Sequence, residues 1–322
     1  MEIKEGTKDE FFNELLQKLE QMTNWDGRKL VKYQGFWFPL NYLRPLLSAQ
    51  KHFKANDSDI ILSTLPKSGT TWLKALVFSI ANRSIYPNID QSPLLTSNPH
   101  KLVPFIEFDL YWNEENPDLT HIPSPRIFST HIPLNALPNC ILESSECKII
   151  YICRNPLDQF ISHYYFVLQN FVSKDAAPLE LDEAFDMFCQ GVPGPVLEHM
   201  LAYWNAHLEN PRKVLFLKYE DLKDNIGFNV KKIAEFLGFP FSLEEEEQGL
   251  IDEISRVCSF GNLKNLEVNK NGYVMDGLLK NSSYFRKGEV GDWTNYLTPA
   301  MAERMKKLME IKFQGSGLMF NI

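Results

Sequence analysis

The sequence predicts an α/β fold, a single domain in which helices flank a central parallel sheet. Four short, β-rich apolar segments are typical of strands buried on both faces: Ile60–Leu62, Arg126–Phe128, Lys148–Cys153 and Val214–Leu217. Helix-like patterns separate several of them, and strands that alternate with helices favour a parallel sheet. The 322 residues would fit one large domain or two ordinary ones. Because no sharp boundary divides the chain, we expect residues 1–322 to form one domain.

The chain begins with a predicted helix between residues 9 and 22. One face of this helix carries four apolar side chains: Phe12, Leu15, Leu16 and Leu19. We expect residues 1–30 to form the helix and a lead-in to the domain. A segment rich in aromatic residues follows, from Tyr33 to Leu47.

Three further helices are predicted along the chain: Thr71–Ala81, Val196–Leu208 and Val230–Leu237. In the second, four apolar residues recur at helical spacing: Leu197, Leu201, Trp204 and Leu208. In the third, Ile233 and Leu237 share a face, and Gly238 is well placed to end the helix.

Charge and composition exclude several classes of function. The chain has 33 Lys and Arg against 41 Asp and Glu, a net charge of −8 that argues against broad nucleic-acid binding. Five cysteines without a C-x-x-C pair indicate a reducing compartment, and no metal-ligand cluster is visible. The longest apolar stretch, Ala75–Ala81, is far shorter than the roughly 20 residues that span a bilayer. We therefore expect a cytoplasmic protein with no metal, nucleic-acid or membrane partner.

The strongest chemical signal is the segment from Ile60 to Phe78, where a strand, the loop PKSGTT and an amphipathic helix follow one another. Such a turn gathers unpaired N–H groups at a helix N-terminus, which binds phosphate or sulfate. The loop adds a cation, three hydroxyls and a glycine that permits close approach: Lys67, Ser68, Thr70, Thr71 and Gly69. It lacks the nucleotide-binding pattern G-x-x-x-x-G-K-[ST], so ATPase or kinase chemistry is disfavoured. The alternative is an ordinary helix cap.

A second basic element follows the strand Lys148–Cys153. Arg154 stands just past its carboxyl end, where parallel sheets bind ligands. Ser162 lies about two helical turns further on, near the side of Arg154. The sequence equally allows an ordinary helix-face salt bridge between Arg154 and Asp158.

A third basic element is the loop from Ser283 to Trp293, in which Arg286 and Lys287 precede two glycines. Charge on a flexible backbone suits a polyanion. The alternative is a solvated basic turn.

The fourth element is His131, which follows a predicted strand at the same sheet edge as Lys67. An imidazole at that position can take a proton from a hydroxyl near neutral pH. The alternative is a structural histidine with satisfied hydrogen bonds.

Together these elements resemble the soluble sulfotransferases that use 3′-phosphoadenosine 5′-phosphosulfate (PAPS). Five segments carry the resemblance: PKSGTTW at 66–72, STHIPL at 129–134, CRNPLDQFIS at 153–162, LKYEDL at 217–222 and YFRKGEVGDW at 284–293. Four other segments resemble the plant branch of that family: NPH at 98–100, AYW at 202–204, VCSF at 257–260 and GSGL at 315–318. The similarity spans about residues 30–315. It implies a P-loop-like sulfotransferase architecture, PAPS as co-substrate and no metal.

The resemblance also implies roles for individual residues. The 67–71 loop would hold the 5′-phosphosulfate, His131 would be the general base, and Lys67 would stabilise charge on the bridging oxygen. Five residues would hold the 3′-phosphate: Arg154, Ser162, Arg286, Lys287 and Gly288. Three would hold the adenine region: Trp72, Tyr219 and Phe260.

Two departures from the animal members matter. Ser129 stands where they carry a lysine two positions before the base, so one cation is missing at the sulfuryl group. Thr298 is followed by Pro299 rather than the valine of the animal dimer motif. We therefore expect a monomer or a weak dimer.

The acceptor is expected to be a small, largely apolar hydroxyl compound, such as a flavonoid, a steroid or a hormone-like plant metabolite. Five aromatic residues are candidates for its cleft: Phe36, Trp37, Phe105, Tyr164 and Phe166. Three alternatives stay open: an N-hydroxy or oxime acceptor of the desulfoglucosinolate type, a PAPS-binding protein without catalysis, and a nucleotide kinase.

Overall fold

A parallel sheet with strand order β5-β4-β6-β7 lies at the centre of the computed structural model, which describes residues 5–172, 180–274 and 277–322. Its strands are β4 (Ile60–Thr64), β5 (Ile127–Thr130), β6 (Lys148–Cys153) and β7 (Val214–Lys218). Nearly every residue of these strands is buried, because helices cover both faces of the sheet. The predicted fold class is confirmed, and β4 and β5 each run two residues further than predicted.

Helices surround this sheet. They are α1 (Glu5–Lys18), α2 (Leu43–His52), α3 (Thr70–Asn82), α4 (Pro99–Leu102), α5 (Asn139–Glu143), α6 (Pro156–Asn170), α7 (Leu181–Cys189), α8 (Val196–Glu209), α9 (Tyr219–Asp224), α10 (Ile226–Phe236), α11 (Leu243–Glu247), α12 (Leu250–Val257), α13 (Phe260–Asn265), α14 (Glu267–Asn271) and α15 (Pro299–Phe313). Within the described ranges, none is long and apolar enough to cross a membrane.

The N-terminal region differs from the prediction. Helix α1 ends at Lys18, and three antiparallel strands follow: β1 (Gln21–Thr23), β2 (Lys29–Tyr33) and β3 (Phe36–Pro39). The predicted 1–30 lead-in therefore includes strand residues, and its residues 1–4 lie outside the described ranges. A short hairpin of β8 (Tyr273–Val274) and β9 (Leu279–Lys280) completes the strands that the structure describes.

Helix α8 is confirmed, but its buried face is not the predicted one. Leu208 is 55% exposed, whereas His199 and Tyr203 are buried. Tyr151 of β6 explains the difference, since its hydroxyl lies 2.9 Å from His199 Nδ1 and its ring stacks on Tyr203 at 4.3 Å. A pattern of purely apolar residues cannot identify a face that a histidine and a tyrosine bury.

A buried ion pair joins the residue before β5 to the residue before β4. Arg126 donates through Nε and Nη2 to the two carboxylate oxygens of Asp59, at 2.8 and 2.6 Å, and the Asp59 side chain is fully buried. We expect Arg126→Met to lower the free energy of unfolding by about 3–5 kcal/mol, because an uncompensated buried charge remains. Urea unfolding measures the loss. Lys270→Met, which breaks an exposed pair with Glu267, should cost at most about 1 kcal/mol, and equal losses would contradict the argument.

Candidate active site

The carboxyl ends of the four parallel strands open into one pocket. Lys67 follows β4, His131 follows β5, Arg154 follows β6 and Tyr219 follows β7, and all four line it. The loop that carries Arg286 also lines this pocket, through Arg286, Lys287 and Gly288. Parallel strands place their carboxyl ends at one edge, so this convergence is a consequence of the sheet topology. The structure thus brings together the four elements that the sequence singles out.

The loop between β4 and α3 is shaped to receive an anion. Gly69 has φ of 111°, and a Cβ there would lie 2.9 Å from the Tyr219 ring, so the turn requires glycine. Helix α3 begins at Thr70, and the first N–H groups of a helix have no partner within it. Ser68 Oγ is also buried without a hydrogen-bond partner among the described residues. The loop therefore offers unpaired donors at the end of β4.

Lys67 projects among aromatic rings and other cations. Its Nζ lies 4.3 Å from the centroid of the Phe166 ring and donates to the Ser283 carbonyl at 3.4 Å. Burial, with the charges of Arg154 and Arg286 nearby, lowers the pKa of Lys67 to about 7. Two guanidinium groups therefore repel the Lys67 ammonium at this site, and a bound anion would relieve that repulsion.

Arg154 forms the salt bridge with Asp158 that the sequence allowed, and it also lines the pocket. Its Nη2 lies 3.6 Å from Asp158 Oδ2 and donates to the Glu289 carbonyl, while its guanidinium stacks 4.8 Å from the Tyr219 ring centroid. Its Nε is buried and has no partner within the described ranges. Arg154 is therefore fixed in orientation and keeps a donor to spare.

Asp158 has a second task that the sequence analysis missed. Its carboxylate accepts hydrogen bonds from the backbone N–H of Gly291 at 2.7 Å and of Trp293 at 3.0 Å. These contacts pin the 286–293 loop to the start of α6. The sequence predicts only the helix-face pair with Arg154 for this carboxylate, because no local pattern connects it to a loop more than 130 residues further along the chain.

The 286–293 loop keeps its two cations in fixed positions. Arg286 Nη2 and Lys287 Nζ donate to the two oxygens of Asp292, at 2.7 and 2.6 Å, and Asp292 is almost fully buried. Both cations line the pocket, and Arg286 Nε is another buried donor for which the described residues hold no partner. The loop thus presents an ordered basic surface to the pocket.

The contacts of three aromatic residues link the start of α3 to the 286–293 loop. Trp72 meets Tyr219 edge to face at 5.3 Å, and the Tyr219 hydroxyl donates to the Gly288 carbonyl at 2.9 Å. Gly288 has φ of 69°, and a Cβ there would lie 2.6 Å from the Phe260 ring. Ser162 lines the same pocket from α6. The three predicted ring residues therefore line the same pocket as the predicted Ser162 and Gly288.

The backbone N–H and one ring nitrogen of His131 form hydrogen bonds with neighbouring residues. Its backbone N–H donates to Glu107 at 2.6 Å, and Thr130 Oγ1 donates to the same carboxylate at 2.9 Å. Its Nδ1 lies 2.8 Å from the Thr64 carbonyl, which only accepts, so Nδ1 carries the proton and Nε2 keeps a lone pair. Burial lowers the pKa of His131 to about 3, so the ring stays neutral at physiological pH.

A second hydrogen-bonded group lies beneath the anion loop. Lys74 Nζ is 3.0 Å from His100 Nδ1, and His100 Nε2 is 2.9 Å from Thr71 Oγ1. Lys74 is fully buried, which lowers its pKa to about 7, and its Nζ lies 3.5 Å from the Phe105 ring centroid. The sequence analysis missed both Lys74 and His100. The available signal was a lysine three residues after Thr71, on the helix that begins at the anion loop.

The remainder of the pocket is an aromatic cleft beside His131. Four of the five predicted aromatic residues line it: Phe36, Trp37, Phe105 and Phe166. Tyr164 is buried in the core, where its ring packs 5.4 Å from that of Trp25, and its prediction as a cleft residue is wrong. The Phe105 ring lies 4.8 Å from the His131 ring, so the cleft adjoins the imidazole. Within the described ranges, no group of three or more His, Cys, Asp or Glu could hold a metal ion.

Comparison with known proteins gives a consistent result. Residues 57–317 match the family model of the sulfotransferase domain. Cytosolic sulfotransferase 15 of Arabidopsis thaliana is 48% identical over 97% of this chain and 87% of its own length. Cytosolic sulfotransferase 14 of the same plant is 47% identical over 97% of this chain and 91% of its own length.

Solved structures agree with the sequence relatives. An Arabidopsis thaliana protein provisionally assigned as a steroid sulphotransferase superposes with a TM-score of 0.78 at 37% identity, over 100% of this chain and 99% of its own. A mouse sulfotransferase complexed with PAP superposes with a TM-score of 0.69 at 29% identity, over 89% of this chain and 95% of its own. This chain therefore belongs to the sulfotransferase family, among the plant cytosolic sulfotransferases, and is itself a sulfotransferase.

Proposed function

We propose that the pocket binds PAPS and transfers its sulfuryl group to the hydroxyl of a small, largely apolar acceptor, with His131 as the general base. The observation that carries this proposal is the convergence of Lys67, Arg154 and Arg286 on one pocket beside a neutral imidazole. A donor with anionic groups at two separated positions complements cations at two separated positions.

Unpartnered polar atoms of the anion loop and of the pocket are suited to PAPS. Ser68 Oγ, Arg154 Nε and Arg286 Nε are buried hydrogen-bond donors whose partners are absent from the described residues. Buried donors without partners are costly, and phosphate oxygens would satisfy them. The mouse neighbour, complexed with PAP, supports the same class of ligand.

Different groups of residues would bind the different parts of PAPS. The loop of Lys67, Ser68, Gly69, Thr70 and Thr71 would hold the 5′-phosphosulfate at the N-terminus of α3. The 3′-phosphate would lie on the basic surface formed by Arg154, Ser162, Arg286, Lys287 and Gly288. The adenine would pack among Trp72, Tyr219 and Phe260.

The transfer itself requires one proton acceptor and one cation. His131 Nε2 takes the proton of the acceptor hydroxyl as that oxygen forms its bond to sulfur. The bond between sulfur and the bridging oxygen of the 5′-phosphosulfate breaks, and Lys67 Nζ stabilises the charge that develops on that oxygen. Preorganised donors and positioning supply most of the acceleration in this scheme, which requires no metal.

The acceptor would lie in the aromatic cleft that adjoins His131. Phe36, Trp37, Phe105 and Phe166 offer apolar surface suited to a flavonoid, a steroid or a hormone-like plant metabolite. An N-hydroxy or oxime group of the desulfoglucosinolate type is the second candidate, since it presents the same kind of proton to the base. We further propose that residues 1–322 form one domain that acts in the cytoplasm as a monomer or a weak dimer, without nucleic-acid or membrane partners.

Thermal unfolding with PAP, ATP and NADPH, followed by a panel of hydroxylated acceptors with labelled PAPS, tests the proposal. PAP at 100 times its dissociation constant should stabilise the protein by about 2.7 kcal/mol, and the other two nucleotides should stabilise it less. Stabilisation by ATP with Mg²⁺ in place of PAP would support a nucleotide kinase. Binding of PAP without transfer to any acceptor would support a binding protein without catalysis.

The contact between Gly288 and Phe260 gives a sharper prediction. We expect Gly288→Ala to weaken PAP binding by about tenfold or more, because the new Cβ displaces the Phe260 ring and strains a left-handed backbone. Isothermal titration with PAP measures the change. Gly291→Ala is the matched control, since Gly291 has φ of 80° in the same loop but nothing within 4 Å of its added Cβ. Equal losses in the two variants would show that the ring contact is irrelevant.

A further inference from the structure

The hydrogen bonds of His100 define its tautomer. Below its pKa of about 7, Lys74 carries an ammonium group, which only donates, so its Nζ at 3.0 Å from His100 Nδ1 requires an unprotonated Nδ1. The proton of the neutral ring is then on Nε2, which donates to Thr71 Oγ1 at 2.9 Å. With its oxygen engaged as an acceptor, the Thr71 hydroxyl is free to donate its own proton into the pocket that Thr71 lines.

The His100 ring is fixed by its neighbours, so its tautomer determines the direction in which the Thr71 hydroxyl donates. It is stacked between Phe105, at 5.5 Å, and Tyr284, at 4.2 Å, and its backbone N–H is capped by Asn98. In the other tautomer Nε2 would be an acceptor, and the single hydroxyl proton of Thr71 would turn toward His100 instead of the pocket. The nitrogen that carries the proton therefore decides where Thr71 donates.

We propose that Lys74 is a positioning residue for the anion loop: it fixes the tautomer of His100 and thereby makes Thr71 a hydrogen-bond donor to the 5′-phosphosulfate end of the donor. This inference rests on the proposed function. It assigns different tasks to two adjacent hydroxyls, since Thr70 Oγ1 is buried against Thr64 Oγ1 at 2.7 Å. It also supplies a buried cation next to Phe105, whereas the hydroxyl of Ser129 faces the Pro104 carbonyl.

If Lys74 had only a structural role, its removal would change stability and PAP binding in the same direction. A charged amine that is fully buried is expensive, and an apolar side chain of similar length in its place is often neutral or stabilising. We therefore expect Lys74→Met to keep or raise the melting temperature while its affinity for PAP falls about tenfold or more, the loss of one hydrogen bond to a charged group. Stability and binding would change in opposite directions.

The tautomer can be observed directly. ¹⁵N spectra of histidine-labelled protein at pH 6.5, below the pKa of about 7 of Lys74, should show His100 protonated on Nε2, with the signal identified by its loss in His100→Gln. Lys74→Met should move part or all of the proton to Nδ1. The matched control is Lys213→Met, because Lys213 is also buried but donates to the Leu142 and Ser144 carbonyls. It should change neither the His100 signal nor PAP affinity.

A double-mutant cycle completes the test. If Lys74 acts through Thr71, then Thr71→Val with Lys74→Met should bind PAP no more weakly than Thr71→Val alone. Additive losses, a native His100 protonated on Nδ1, or unchanged PAP affinity in Lys74→Met would each overturn the inference. The spectra need no nucleotide, so they test the effect of Lys74 on His100 separately. Failure of the native protein to bind PAP would contradict the proposed function and, with it, the role of Thr71.

Discussion

The His131→Ala variant is expected to lose about 10²–10⁴-fold in the rate of sulfuryl transfer while it binds PAP as the native protein does. The loss follows from the position of the imidazole, whose ring lies 4.8 Å from that of Phe105 in the aromatic cleft. Removal of the ring takes away the proton acceptor but leaves the cations in place. Single-turnover measurements with labelled PAPS, together with the dissociation constant of PAP, separate the two effects.

The pH dependence gives the same assignment an independent test. Burial lowers the pKa of His131 to about 3, so the ring gains a proton only in strong acid. A base that is already deprotonated cannot make kcat fall as pH drops from 8 to 5. We therefore expect that any fall in kcat between pH 8 and 5 is also present in His131→Ala, because protonation of His131 does not cause it.

His207→Ala is the matched control for this substitution. Like His131, His207 has Nδ1 at 2.8 Å from a backbone carbonyl, that of Val214, but it is not a lining residue of the pocket. Its loss should leave the transfer rate within about a factor of two. A His131→Ala rate that is equally close to the native rate would rule out His131 as the base.

Much of the sheet could be predicted because its strands are short, apolar and rich in β-branched residues. The 148–153 strand has the predicted bounds, and five of its six residues are buried, as expected for a strand covered on both faces. The aromatic segment from Tyr33 to Leu47 could not be resolved in this way. It contains the last residue of β2, the whole of β3 and the start of α2, and some of its rings line the cleft while others pack in the core.

The predictable and the unpredictable parts of the site also differ, in how far apart in the chain the interacting residues lie. Its cations stand in short local motifs, and the sheet topology brings those motifs together, so Lys67, Arg154 and Arg286 could be predicted. The groups that orient them act across long separations in the chain. Asp158 contacts the backbone of Gly291, and Glu107 contacts that of His131. Such contacts leave no periodic signal in the sequence, because the carboxylate residue alone resembles an ordinary surface Asp or Glu and its partner is a backbone N–H.

The Lys67→Met variant is expected to lose about 10²–10³-fold in kcat and to bind PAP more weakly, unlike His131→Ala, which should affect the rate alone. Lys67 follows the strand that leads into the anion loop, and its ammonium lies beside the positions of Arg154 and Arg286. It would therefore contribute both to holding the anion and to stabilising charge on the bridging oxygen. Steady-state rates at saturating PAPS and titrations with PAP measure the two losses.

The charge of Lys67 should also make PAP binding depend on pH. In the free protein its pKa is lowered to about 7, so the ammonium is present below that pH and is lost as pH rises. A bound anion raises this pKa, and PAP binding between pH 7 and 9 should therefore take up a proton and weaken by at most about tenfold per pH unit. Phosphate groups ionise near pH 6, so the ligand contributes little in that range.

Titrations in buffers of different ionisation enthalpy count the protons, and two variants isolate the part due to Lys67. Lys67→Met should remove its share of the uptake and leave any share of Lys74, whose pKa is also about 7. Lys67→Arg keeps a charge at every pH, so its PAP affinity should vary less with pH, although the wider guanidinium cannot reproduce the ammonium contact with the bridging oxygen. Proton uptake that is the same in the native protein and in both variants would mean that Lys67 is not the cation that the anion meets, and the assignment of the anion loop would then fail.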